Sequence, residues 1–138
     1  MQMAATAVGA VFLLVGILGF IPGITTQYGQ MEFAGHESGA ELLGLFQVSI
    51  LHNVVHLLFG VVGIALARKS VPSATWFLLG GGLVYIVLAL YGSAIEHGSD
   101  LNVVPVNHAD NWLHLGLGAG MILAGTLVSS RRGANDAS

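Results

Sequence analysis

The sequence predicts an all-α fold, a four-helix transmembrane bundle. Three observations carry the prediction. Hydrophobic residues make up 54% of the 138 and charged residues only 8%, where a soluble domain carries roughly a quarter charged. Four apolar runs, approximately 4–21, 42–67, 73–92 and 111–130, approach or exceed the ~20 residues that a bilayer crossing needs. The charges segregate by sign: Arg68 and Lys69 follow the second run and Arg131 and Arg132 the fourth, while Glu32, Glu37, Glu41, Glu96, Asp100 and Asp110 lie at the opposite end. Basic residues near span ends stay cytoplasmic, so both chain termini are expected inside the cell.

The elements follow in order. The first run is apolar from its start, without the positive n-region or the small-x-small site of a cleaved signal, so it reads as a retained helix ending at Pro22-Gly23. The outer loop after it is polar and glycine-containing. Ser38-Gly39-Ala40-Glu41 has the form of a capping box and would start the second span at about residue 42. Pro72 suits the first turn of the third span, where its missing N–H costs nothing. Trp76 and Trp112 suit the interfacial belts. Residues 1–130 thus form one four-span domain, and 131–138 are expected to be a disordered cytoplasmic tail.

Polar residues inside these runs are the chemically informative feature. The second span contains His52, Asn53 and His56, and the fourth opens on Asp110, Asn111 and His114. Both copies read Asn-x-x-His-Leu-x-x-Gly at an offset of 58 residues. The recurrence suggests two duplicated helix hairpins, related by a pseudo-two-fold along the membrane normal. A fainter echo pairs Phe12-Leu13-Leu14 with Phe77-Leu78-Leu79. Helical spacing aligns His52, His56, Gly60, Gly63 and Ala67 on one face, and Asp110, His114, Gly118, Met121 and Gly125 on another. Small residues in these stripes would let spans two and four approach, with polar groups bonding in the outer leaflet. At about 1.5 Å rise per residue, His52 lies about 24 Å and His56 about 18 Å from Arg68, and His114 about 26 Å from Arg131, so His114 faces either of the first two.

The run Gly44 to Gly60, with Asp110-Asn111-Trp112-Leu113-His114-Leu115, resembles the two signatures of a bacterial family of small four-helix membrane proteins catalogued as a domain of unknown function. That family often has asparagine where this chain has Ser49. The resemblance covers about 4–130 and implies a multi-pass protein of the bacterial inner membrane. It implies no activity, substrate or cofactor.

Two classes of function remain open on the residues. In the first, Asn53, His56, Asn111 and His114 form a buried polar network that organises the bundle, with Asp110 capping the fourth span. In the second, His52, His56, Asp110 and His114 bind Zn, Cu or Fe, since His pairs at i, i+4 chelate from one helix face. Bis-histidine haem, quinone binding and a proton relay belong to this redox class. Haem has against it the lack of outer Arg or Lys for its propionates. His36, His97 and His108 read as solvated loop residues. Soluble-enzyme triads, phosphate loops and zincin motifs are lacking, so a non-enzymatic protein is favoured. Cysteine is lacking, which excludes thiolate sites and disulfides, and no basic patch offers nucleic acid a surface. The expected partners are the lipid bilayer and either a second copy or another membrane protein.

Overall fold

Helix α1 (Gln2–Leu18) leads into a folded connecting segment before α2 (Ile50–Lys69), α3 (Val71–Ala94) and α4 (His108–Asn135) complete the chain. The structure is a computed structural model describing residues 1–135, with side chains over 1–127. The tail expected over 131–138 lies outside the fully described residues. Among the described residues, α2 and α3 are long and apolar enough to cross a membrane, and α1 is apolar over its 17 residues.

The connecting segment departs from expectation. The second helix starts at Ile50 rather than near residue 42, and 38–41 is not a capping box. Instead β1 (Thr25–Thr26), β2 (Glu41–Leu42) and β3 (Phe46–Gln47) form a small antiparallel sheet. Its register pairs Thr25 with Leu42 and Leu42 with Phe46. Leu43 at φ 56 and Gly44 at φ 67 reverse the chain between β2 and β3, and positive φ at two successive residues cannot continue a right-handed helix. The Ser38 hydroxyl accepts from the Glu32 N–H at 3.1 Å and donates to the Val48 carbonyl at 2.6 Å, which closes the loop. Ser49 is the true cap of α2, accepting from the His52 N–H at 3.1 Å. Ser70 alone separates α2 from α3 and caps the latter through the Ser73 N–H at 3.2 Å.

Packing follows the hairpins. α1 lies along α2 and α3 along α4; α2–α3 and a smaller α1–α3 contact join the two pairs. Glycines set both close crossings. A Cβ on Gly60 would lie 2.8 Å from the Gly9 carbonyl oxygen, and one on Gly118 would lie 2.8 Å from that of Gly82. Ile64 closes the first crossing at 3.0 Å from the Gly9 Cβ position, and Ile122 closes the second at 2.8 Å from that of Gly82. These small residues therefore serve contacts within each hairpin, not an approach of α2 to α4. Gly9 thus faces Gly60 as Gly82 faces Gly118. Between the hairpins lies a core of Ala5, Phe12, Phe77, Leu78, Tyr85 and Met121. Large apolar side chains also point outward, including Leu14, Leu58, Val61, Leu83, Val87 and Leu123.

Candidate functional site

Three histidines converge at the end of the bundle nearest the sheet. His52 and His56 sit one turn apart on α2, and His114 reaches them from α4. All three are buried, and their ligating nitrogens lie within 4.8 Å of one another. Ring centroids are 4.2 Å apart for His52–His56 and 6.4 Å for His52–His114.

Hydrogen bonds fix one ring and leave two open. His56 Nδ1 is 2.9 Å from the His52 carbonyl oxygen. A carbonyl only accepts, so Nδ1 carries the proton and Nε2 is an acceptor. The Tyr85 hydroxyl donates to that Nε2 at 3.0 Å. Phe12 places its ring edge-on to His56, with centroids 5.8 Å apart. Both ring nitrogens of His52, and Nδ1 of His114, are buried without a hydrogen-bond partner. Buried polar atoms are seldom left so, because each unmet group costs about 1–3 kcal/mol.

The asparagines of the repeated motif do something else. Asn53 is turned to α1, where its amide lies against Gly19 and its Nδ2 is 3.8 Å from the Met31 sulfur. Asn111 is turned to α3, against Gly92. In each hairpin the asparagine thus fills the space that a glycine leaves at the end nearest the sheet. Asn53, His56, Asn111 and His114 share the same end of the bundle, but no hydrogen bond links any two of them among the described residues.

Asp110 stands just before the apolar run that begins at Asn111, and its bonds are structural. Its Oδ2 accepts from the Asn107 N–H at 2.9 Å, while Asn107 Oδ1 accepts from the Asp110 N–H at 3.0 Å. This is a reciprocal capping box, with Asn107 rather than Asp110 as the cap. The same Oδ2 accepts from the Gln47 N–H at 3.0 Å, and Asn107 Nδ2 donates to the Leu45 carbonyl at 2.8 Å. The sheet is thereby tied to the start of α4. Burial pushes the Asp110 carboxyl up to about 7; the N–H groups of Asn107 and Gln47 act against the rise and the Glu41 charge adds to it. Asp110 is not one of the three converging groups, although it lines the same cavity.

That cavity, of about 260 Å³, has Phe12, His52, His56, Asp110 and His114 on its inner side. Its remaining wall comes from α1, the β2–β3 loop and α4. The loop histidines lie elsewhere: His36 faces Asp100 at 4.0 Å, and His97 packs on His108 with centroids 4.5 Å apart. Tyr85, Asn107 and Gln47 were not singled out by the sequence. Tyr85 carried a signal, a hydroxyl in the middle of an apolar helix. Gln47 carried none, since its role depends on the sheet.

The model of a family described as a domain of unknown function (DUF4383) matches residues 2–127. No curated protein matches the chain, and no solved structure does.

Proposed function

The chain belongs to that family of unknown function, and we propose that it is a four-span protein of the bacterial inner membrane that binds a transition-metal ion at His52, His56 and His114. Membrane insertion is supported by the two long apolar helices and by the apolar side chains that point away from the core. Trp76 and Trp112, 75% and 70% exposed near helix starts, suit opposite interfaces. The basic residues after α2 and within the last turns of α4 favour cytoplasmic termini and a cytoplasmic α2–α3 junction. The matched glycine crossings and the matched Asn–Gly contacts favour two duplicated hairpins in one domain over about 1–130.

One observation carries the metal reading: three buried imidazoles each bring a nitrogen within 4.8 Å of the others, and both ring nitrogens of His52 and Nδ1 of His114 lack partners, while His56 Nε2 would exchange the Tyr85 hydroxyl for the ion. The bond from His56 Nδ1 to the His52 carbonyl is the kind that orients a metal-binding ring through its other nitrogen. Haem suits the site less, because about 260 Å³ falls below the ~300–1,000 Å³ of sites for drug-sized ligands. A bundle-organising role belongs to Asn53 and Asn111, each set against a glycine of its own hairpin.

The test is the metal content of protein extracted from membranes in detergent, as purified and after loading with Zn²⁺, Cu²⁺ or Fe²⁺. One ion per chain is expected, lost in His52→Ala and His114→Ala. Protein that stays metal-free after every loading, or that keeps its ion in both variants, refutes the site.

A further inference from the structure

The histidine cluster is open to one side, and that side is apolar. Contacts close the bundle between α1 and α2, α2 and α3, α3 and α4, and α1 and α3; no extended packing joins α1 to α4 among the described residues. The cavity occupies that seam. Leu14 of α1 and Leu43 of the β2–β3 turn stand at its mouth, 54% and 60% exposed, and Leu113 and Leu117 of α4 face them. For helices that span a bilayer, such a mouth opens to lipid rather than water.

We propose that the cavity takes an uncharged quinone or quinol from the outer leaflet, which enters between α1 and α4 and directs a ring oxygen at the histidine cluster. The inference rests on the metal-site reading, since the ion there is what the oxygen would meet. Charge decides the head group. All four basic residues lie at the other end of the spans, so a phosphate or carboxylate head would find no basic side chain to pair with, only the bound ion, and the Asp110 carboxyl at the cavity edge would oppose it. A cationic head would meet the bound ion. A neutral head bearing oxygen meets neither repulsion and offers a donor atom to the ion that the three imidazoles would hold. Size and shape agree. A cavity of about 260 Å³ holds one ring and not a long tail. Phe12 and Phe46 offer aromatic walls to a flat ring, and the tail would leave past Leu14 into lipid.

The full-length protein in nanodiscs, with its metal content measured on the same samples, would be titrated with a decyl-tailed benzoquinone and with its quinol. Saturable binding of one molecule per chain is expected. Leu117→Trp, which fills the cavity, should weaken it by about tenfold or more with bound metal unchanged, whereas Leu123→Trp, elsewhere on the lipid-facing surface, should have no effect. Leu14→Trp at the exposed mouth repeats the test without disturbing the core, should Leu117→Trp fail to fold. Metal-loaded protein that binds neither form, or that binds equally well in Leu14→Trp and Leu117→Trp, overturns the inference and leaves the metal site standing. Quinone binding that persists in metal-free protein and is lost in His114→Ala overturns the ion as the contact of the ring oxygen and leaves the cavity assignment standing, and protein that also stays metal-free after every loading overturns the metal reading with it. Displacement of the quinone by an anionic phospholipid would overturn the choice of head group.

Discussion

Phe12 lies flat against Tyr85, with ring centroids 5.1 Å apart and planes inclined by 17°. One ring comes from α1 and the other from α3, so the stack joins the two hairpins at the bundle centre. It also aims the phenol: held by Phe12, Tyr85 presents its hydroxyl to His56 Nε2.

Tyr85→Phe therefore separates the two roles. The stack survives, but Nε2 of His56 loses its donor in a buried setting. Metal-free protein should lose about 1–3 kcal/mol of unfolding free energy in detergent. In metal-loaded protein the loss should shrink, because Nε2 then has the ion. An equal loss in both forms would separate His56 from the metal.

The glycines sort by what faces them. Gly60→Ala and Gly118→Ala drive a methyl group into backbone at the two hairpin crossings, and each should cost about 1–3 kcal/mol. Gly116 and Gly120 have nothing within 4 Å of the added atom. Alanine there should be neutral or stabilising by up to about 1 kcal/mol, from helix propensity alone. Thermal unfolding of the four variants checks the contrast, and a uniform response would count against the crossings.

Asp110 predicts a pH effect of definite sign. Its folded value of about 7 lies above the ordinary 3.8, so the folded state holds the proton more tightly. The resulting stabilisation is complete below the unfolded value and is lost as pH rises through the folded one. Asp110→Asn removes this slope. Wild-type protein should fall behind the variant more at about pH 8 than at about pH 5, read by denaturant unfolding. A constant difference across that window would contradict the burial of the carboxyl.

Loop histidines should be silent in the metal assay. His36→Ala, His97→Ala and His108→Ala each leave the three-histidine group intact and should retain the full complement of ion. Loss in any of them would relocate the site to the outer loops.

The chain has no cysteine, so single replacements report topology without background. Cysteines at Gly35 and Ser99 should react with an impermeant maleimide from outside the cell, and one at Ser70 only after lysis. Labelling of Gly35→Cys from the cytoplasmic side would invert the orientation.

How much of this was legible in the sequence depends on the range of the interaction. The helices were legible, because apolar length and terminal charges are local properties. His52 and His56 were legible as a pair for the same reason, one turn apart on one face. The start of α2 was not legible, because the capping pattern at 38–41 is a local signal and the helix begins only at Ile50. The actual break depends on the Leu43–Gly44 reversal and on pairing with Thr25 and Thr26, which no local pattern reveals. The roles of Asn53 and Asn111 were hidden likewise. Their repeated spacing to histidine suggested a shared network, whereas their contacts are to Gly19 at the end of α1 and to Gly92 on α3. Asp110 looked like a ligand at i, i+4 from His114, but its oxygen is committed to backbone N–H groups of Asn107 and Gln47.

The bond between Asp110 and Gln47 has a consequence for biogenesis. It joins the segment before α2 to the first turn of α4, so it can form only after the last helix has been made. In the orientation proposed, both partners must first be carried across the bilayer. The wall that Phe46 and Leu43 give the cavity is thus completed outside the cytoplasm, at the end of synthesis.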